Sequence, residues 1–314
     1  MLQTKALYNL LRLNAAEDPA IRADPWALED LRAASIEALL SRAQQYKIKL
    51  DKHSFLQFSE ACDHPEGLTD LLLPDDASET TRDPFYLLIF ELWRRLLPEK
   101  QCLSVFCDEL DHRIALYDRG EPNSDEQVQD SLAHLLEIFD ENVDSGADPE
   151  EIFIGITDYC AHDVEGFLYD YISDLLHSGN SLYASELIEG FSQYVTDPVW
   201  FDFLRVRLLA FTDIGDANLA MHRMLENELD LPFLIEMLRF LSANGERDLF
   251  QLTAKRALPL LSEEEDLIEI IRLSADFYGR LGEEKKEKAM QALLVERQAE
   301  PDQFPIVDFV RRYF

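Results

Sequence analysis

The amino-acid sequence predicts an all-α protein, built as an α-solenoid or superhelix of irregular helical hairpins. Apolar residues recur at intervals of three and four, as in Val128, Leu132, Leu135 and Phe139, which is the spacing of one helix face. No stretch alternates apolar and polar residues as a strand would. From about residue 149 onward, helices are expected in pairs at intervals of roughly 30 to 38 residues, which is typical of two-helix repeats.

Prolines and glycines mark where the predicted helices begin and end. Asp can accept hydrogen bonds from the free amides of a first helical turn, and Pro at the next position loses no hydrogen bond there. Such starts are Asp24-Pro25, Asp83-Pro84, Asp148-Pro149 and Asp197-Pro198. A left-handed glycine commonly ends a helix, and candidates are Gly120, Gly179, Gly245 and Gly282. These marks delimit about fourteen helices, and the longest near the N-terminus spans residues 25–46.

A polar segment over residues 74–83 lacks apolar periodicity and predicts a linker. It divides the chain into an N-terminal helical unit, residues 1–74, and a helical-repeat region, residues 84–314. The alternative is one continuous domain, because stacked repeats share their core with their neighbours.

The charge of the chain excludes some partners and favours others. Among its 314 residues, 62 Asp and Glu oppose 29 Lys and Arg, for a net charge of -33. Nucleic acid and anionic membranes attract cationic proteins, so neither is an expected partner. A protein or peptide that is basic or amphipathic is expected instead. The alternative is that the charge only keeps the protein in solution.

The cysteines and the apolar runs predict a soluble, cytoplasmic protein. Cys102 and Cys107 lie on different faces of one predicted helix, and no Cys-x-x-Cys pair occurs, so neither zinc nor disulfide bonds are expected. The longest apolar run, residues 85–90, is far shorter than the roughly 20 residues that cross a bilayer.

Part of the chain matches the spacing of a known helical repeat, in which large residues, a Leu-Gly pair, an aromatic residue, Ala and Pro follow one another. The matching positions are Phe211, Gly215, Ala220, Met224 and Pro232, with Leu204 where Trp is usual. A second set is Ala275, Tyr278, Gly282, Ala289, Leu293 and Pro301. Over about residues 149–314 the chain therefore resembles a degenerate tetratricopeptide (TPR) protein. Arg207 and Leu208 depart from the pattern by replacing the Leu-Gly pair. The resemblance implies stacked hairpins and carries no catalytic residue.

Two arrangements of acidic residues and histidines suggest a metal-dependent enzyme as the alternative function. Di-iron bundles use Glu-x-x-His pairs with a Glu from each of two further helices. Here Glu109 and His112 form one such pair, Asp174 and His177 its Asp analogue, and Glu91 and Glu137 could complete the set. The dipeptide His162-Asp163 is similar to that of helical metal-dependent phosphohydrolases, with His134 and Asp174 as further ligands. The simpler interpretation of Asp163 is that it lies at a helix start.

Aromatic residues concentrate in two places, around Tyr159–Tyr171 and around Trp200–Phe211. Packing in the core is the default for such residues. As the functional alternative, some of them could anchor a partner, because Tyr and Trp are frequent hot-spot residues. The residues predicted to bind a partner are Tyr169, Tyr171, Trp200, Phe201 and Phe203.

The C-terminal segment, residues 304–314, is richer in apolar residues than the outer face of a terminal repeat should be. It is expected to fold back as a closing helix, and a homodimer contact through it is the alternative.

The sequence thus predicts a non-enzymatic scaffold, an adaptor or chaperone that holds its partner in a concave acidic groove. No catalytic residue, cofactor or metal ligand is assigned. Apolar pockets would supply affinity, and carboxylates would steer the partner and fix its register.

Overall fold

The computed structural model describes residues 4–299, and every regular element in this range is helical. The all-α prediction is confirmed for these residues. The chain divides into two compact units, residues 4–168 with 193–196 and residues 169–192 with 197–299. Within residues 4–299, no helix combines the length and apolar composition needed to cross a bilayer. The predicted closing helix, residues 304–314, lies outside the described range.

The first unit holds ten helices among its described residues, of which the last continues into the second unit. They are α1 (Thr4–Glu17), α2 (Pro25–Leu28), α3 (Ile36–Arg42), α4 (Lys52–Ser59), α5 (Pro65–Leu72), α6 (Glu79–Leu96), α7 (Leu103–Asp118), α8 (Ser124–Asp144), α9 (Pro149–Thr157) and α10 (Val164–His177). Short 3-10 turns cover Leu31–Ala33 and Ala43–Tyr46.

The single helix predicted over residues 25–46 is wrong. Two side chains inside it accept hydrogen bonds from the backbone and cap new helical turns. Asp30 accepts from the Arg32 amide at 2.9 Å, and Ser35 accepts from the Ala38 amide at 3.1 Å. Short polar side chains compete with helical hydrogen bonds in this way. The segment consequently contains two short helices and two 3-10 turns.

Helix α6 forms the centre of the first unit. Its residues Phe85–Trp93 are all buried, as expected for a helix that is apolar around its whole circumference. Helices α3, α4 and α5 pack their apolar faces into one core with α6. Helix α6 begins at Glu79, inside the predicted linker, and residues on both sides of that linker contribute to this core. The division of the chain at residues 74–84 stays a prediction.

The predicted helix start at Asp83-Pro84 is also wrong, because Pro84 lies inside α6. Two contacts hold the preceding turn in place: Arg82 forms an ion pair with Asp70, and the Tyr8 hydroxyl donates to Asp83 at 2.5 Å. Proline lacks an amide hydrogen, so the carbonyl four residues earlier loses its helical partner. Helix α6 tolerates this loss near its exposed N-terminus.

The second unit contains the C-terminal part of α10 and seven further helices within its described residues. They are α11 (Ser181–Phe191), α12 (Pro198–Leu209), α13 (Ile214–Met224), α14 (Leu231–Asn244), α15 (Arg247–Ala257), α16 (Glu264–Arg280) and α17 (Glu284–Ala299). The packed neighbours are α11 with α12, α12 with α13, α14 with α15 and α16 with α17, while α13 also contacts α15 and α14 contacts α16. This pairing is compatible with a helical repeat, and the solenoid arrangement stays a prediction.

Of the residues that match the TPR spacing, the hairpin of α12 and α13 fully buries Leu204 but not Phe211, Ala220 or Met224. Phe211, which we expected in the core, is 58% exposed because it follows the end of α12. On α13 the fully buried residues are Ala217 and Met221, three positions before Ala220 and Met224. Arg207, which departs from the pattern, is itself buried and donates to the Ser173 hydroxyl at 2.8 Å.

Three of the four predicted helix-ending glycines have a left-handed backbone: Gly120, Gly179 and Gly282, with φ of 65°, 82° and 71°. Gly245 does not, since its φ is -84°. A Cβ at Gly245 would lie 2.3 Å from the Leu241 side chain. Close approach, rather than a left-handed conformation, therefore requires glycine there.

Candidate functional site

The aromatic residues predicted to bind a partner lie mostly in the interior of the second unit. Tyr169, Tyr171, Phe201 and Phe203 are buried, between 0% and 9% exposed. Trp200 is half-buried. Its ring packs edge to face against the rings of Tyr169 and Phe233, with ring centroids 4.8 and 5.0 Å apart. Among the five, only Trp200 keeps surface that a partner could contact. Their role in binding stays a prediction.

Two of the four carboxylates nominated as di-iron ligands, those of Glu91 and Glu109, are engaged by arginines instead. Glu91 forms ion pairs with Arg94, at 2.6 Å, and with Arg95. Glu109 lies 2.9 Å from Arg32 and 3.0 Å from Arg94. Such paired carboxylates are already neutralised. In the part of the chain that the structure describes, no three His, Cys, Asp or Glu side chains are grouped to hold a metal ion.

The remaining nominated residues have separate local roles. His134 pairs with Glu137 one turn along α8, and its ring packs against Phe106. Asp163 accepts a hydrogen bond from the Gly166 amide at 3.0 Å, as expected for the residue that opens α10. On the same helix, His177 lies 3.3 Å from the guanidinium of Arg207.

A network of buried charges joins α1 to α7 in the first unit. At its centre is Asp108, which lies 2.6 Å from the Lys5 ammonium and 2.5 Å from the Arg32 guanidinium, and which accepts from Asn9 at 2.8 Å. Burial alone would raise the pKa of Asp108, but Lys5 and Arg32 hold it well below its usual range. Burial, together with the charge of Arg32, lowers the pKa of the neighbouring His112.

Asp111, one turn after Asp108, ties α7 to the loop before α10. It accepts hydrogen bonds from the backbone amides of Ala161 and His162, at 2.9 and 3.0 Å, and lies 3.0 Å from Nδ1 of the His162 ring. This explains why His162 is held near α7. The arrangement anchors a loop and leaves Asp111 fully engaged.

A cavity of about 260 Å³ opens beside this network. We call it the charged pocket, and its lining includes four Lys and Arg residues and four acids: Lys5, Arg12, Arg32, Arg119, Asp30, Glu91, Asp108 and Asp111. No local pattern in the sequence indicates this pocket, since its residues come from α1, the first 3-10 turn, α6 and α7, far apart in the chain.

A second feature is the acidic helix pair, which we define as α8 and α9, packed against each other. Residues 120–204 contain 20 Asp and Glu and no Lys or Arg, and many of these acids lie on this pair. Six of the seven exposed acids of α8 are spaced so that they fall on one face of the helix and form a stripe opposite its buried face. The stripe consists of Glu126, Asp130, Glu137, Asp140, Glu141 and Asp144. Counting charge along the chain, rather than over its whole length, would have found it.

The acidic helix pair also exposes an apolar residue. Ile154 on α9 is 45% exposed, and the carboxylates of Glu150, Glu151 and Asp158 lie within one helical turn of it along the chain. This combination of an apolar side chain and surrounding carboxylates is complementary to an amphipathic basic surface.

Comparisons of the chain with protein-family models, with curated proteins and with solved structures returned no match.

Proposed function

We propose that this protein is a non-enzymatic, cytoplasmic binding scaffold, an adaptor or chaperone built from TPR-like helical hairpins. Its partner would be a basic or amphipathic protein surface or peptide, and the docking surface would be the acidic helix pair. The observation that carries this proposal is the unneutralised stripe of carboxylates on α8. None of its acids forms an ion pair with Lys or Arg within residues 4–299.

The stripe destabilises the protein, because its carboxylates repel one another. Like charges three or four residues apart on a helix repel each other by about 0.2 to 0.5 kcal/mol per pair, and the stripe contains several such pairs. A basic partner would convert this repulsion into attraction and would be steered to the surface. The half-exposed Ile154 would add apolar contact, since interface hot spots combine buried apolar anchors with a polar rim.

The test compares immobilised wild-type protein with two variants as baits in a native lysate, at low and at high salt. Glu137→Lys/Glu141→Lys reverses the centre of the stripe, and Ile154→Ser removes the apolar residue. The matched control is Glu17→Lys/Glu60→Lys, which changes the net charge equally at exposed positions of the first unit. We expect about tenfold weaker retention of the partner by the stripe variant, because two side chains that attract a basic partner are replaced by two that repel it.

The control should retain the partner as the wild type does, and retention should fall as salt is raised. Equal recovery of every specific partner by the wild type and the stripe variant would refute docking on α8. Recovery of no specific partner by any bait would favour the simpler interpretation, in which the charge only keeps the protein in solution.

A further inference from the structure

The charged pocket contains two kinds of charged side chain, which differ in whether a partner already neutralises them. Four carboxylates line it. Glu91 is engaged by Arg94 and Arg95, and the exposed Asp30 accepts a hydrogen bond from the Arg32 amide. Asp108 has Lys5 and Arg32, and Asp111 has two backbone amides and the His162 ring. These acids therefore have little capacity left to attract a cationic ligand.

Two of its arginines, by contrast, have hydrogen-bond partners but no carboxylate partner. Arg12 donates to the Glu29 carbonyl at 3.1 Å and to the side-chain oxygen of Asn9. Arg119, at the C-terminal end of α7, donates to the Ala115 carbonyl at 2.9 Å. In the described part of the chain, neither guanidinium has a carboxylate within ion-pairing distance.

Arg12 is the stronger evidence for an anion site, because its side chain is half-buried. Burial lowers the pKa of its guanidinium, which reflects the cost of taking a cation out of water. Buried charges are normally paired. Asp108, Asp30 and Glu91 offset part of this cost through their charge, but none of these lining carboxylates lies within ion-pairing distance of Arg12 in the described residues. The guanidinium therefore faces the cavity without a direct ionic partner.

We infer that the charged pocket binds a small oxyanionic molecule, held by the guanidinium groups of Arg12 and Arg119. Guanidinium presents a planar fork of donors that matches phosphate and carboxylate oxygens. The cavity, at about 260 Å³, is slightly smaller than typical pockets for drug-sized ligands, which favours a molecule of few atoms. The two guanidinium groups favour a phosphate-bearing or dicarboxylic one.

The net charge of -33 opposes an incoming anion, but mainly over distances that salt screens. At physiological ionic strength the screening length is about 8 Å, so a bound anion would interact chiefly with the charges lining the pocket. This inference is independent of the proposed function, because it uses α1 and α7 and needs no carboxylate of α8 or α9.

The test is calorimetric titration of the full chain with inorganic phosphate and, separately, with succinate, at a fixed ionic strength of about 0.15 M. We expect saturable binding of at least one of the two anions. Arg12→Gln and Arg119→Gln should each weaken it about tenfold, since each removes charge-assisted hydrogen bonds. The control is Arg22→Gln, which makes the same charge change at an exposed arginine outside the pocket and should bind as the wild type does.

Saturation by phosphate alone identifies a phosphoryl ligand, and saturation by succinate alone identifies a dicarboxylate. Absence of saturable binding by both anions would overturn the inference, as would binding that Arg119→Gln leaves unchanged. Arg119 is exposed, so this variant keeps the test decisive even if Arg12→Gln perturbs the fold.

Discussion

At the scale of single residues, Asp108 is the point on which the N-terminal helix depends. Its carboxylate is 3% exposed, and Lys5 on α1 and Arg32 in the 3-10 turn both reach it. A buried ion pair contributes little compared with a well-packed apolar pair, because desolvation offsets the attraction. Loss of one partner is different, because it leaves the other charges buried and uncompensated.

Asp108→Asn should therefore destabilise the protein by about 3 to 5 kcal/mol, since Lys5 and Arg32 would lose their common counter-charge. Chemical denaturation followed by circular dichroism measures the change. Asp130→Asn, the same substitution at an exposed acid of α8, should alter stability by less than about 0.5 kcal/mol. Equal midpoints for Asp108→Asn and the wild type would show that the network contributes nothing.

The same carboxylate predicts how stability depends on acid. Lys5 and Arg32 lower the pKa of Asp108 in the folded protein, so the unfolded chain binds this proton more tightly. Its contribution is complete above the ordinary aspartate pKa of about 4 and is lost as pH falls through the folded-state value. In denaturation curves between about pH 2 and 5, stability should decline less steeply for Asp108→Asn than for the wild type.

The sequence could not reveal this network, for a physical reason. Lys5 and Arg32 lie far before Asp108 in the sequence, and no local pattern around any of the three predicts that they contact each other. Spacing on a helix instead suggested metal ligation for Glu91 and Glu109, because the same carboxylates can bind a metal or an arginine. Only the tertiary packing of α6 and α7 decides between these roles.

At the scale of helices, local chemistry predicted ends well where it acts alone. Asp148 and Asp197 cap α9 and α12, each followed by the expected proline. It failed at Asp83, where contacts from Tyr8 and Arg82 extend α6 by a turn. The pattern on α12 and α13 likewise located a hairpin but missed which residues it buries. The buried face is set by neighbouring helices, which one helix's sequence does not specify.

Helix α13 carries a polar residue in an unfavourable position. Asn218 is 4% exposed, and neither polar atom of its side chain has a hydrogen-bond partner within the residues that the structure describes. An unsatisfied buried polar group costs about 1 to 3 kcal/mol. Asn218→Leu, of similar size and higher helix propensity, should therefore raise the free energy of unfolding by about 1 to 2 kcal/mol.

Thermal and denaturant unfolding of this variant check the prediction. Asn218→Asp provides the matched comparison, because it would bury a charge at the same site and should be strongly destabilising. A Leu variant less stable than the wild type would mean that the Asn218 amide is satisfied in solution, by water for example.

At the scale of the whole molecule, the uneven distribution of charge matters more than its total. The total of -33 leads to the expectation of a basic partner, which stays a prediction, whereas the location of the acids follows from residues 120–204, which have no Lys or Arg. Elsewhere the acids are interspersed with arginines and form ion pairs, for example between Arg239 and Glu269. Screening by salt should weaken both kinds of interaction, but with opposite effects on stability.

Salt should therefore stabilise the protein if repulsion among the unpaired acids dominates. Exposed ion pairs contribute only about 0 to 1 kcal/mol each, whereas self-repulsion grows with net charge. Between about 0.01 and 0.15 M NaCl the screening length falls from about 30 to 8 Å, and over this range we expect the melting temperature to rise.

Glu137→Lys/Glu141→Lys changes the net charge to -29 within the most acidic stretch. Its melting temperature should therefore rise less with salt than that of Glu17→Lys/Glu60→Lys, which has the same net charge. A melting temperature that falls with added salt would instead mean that the ion pairs outweigh the repulsion, and that the α8 stripe is not a source of strain that a basic partner would relieve.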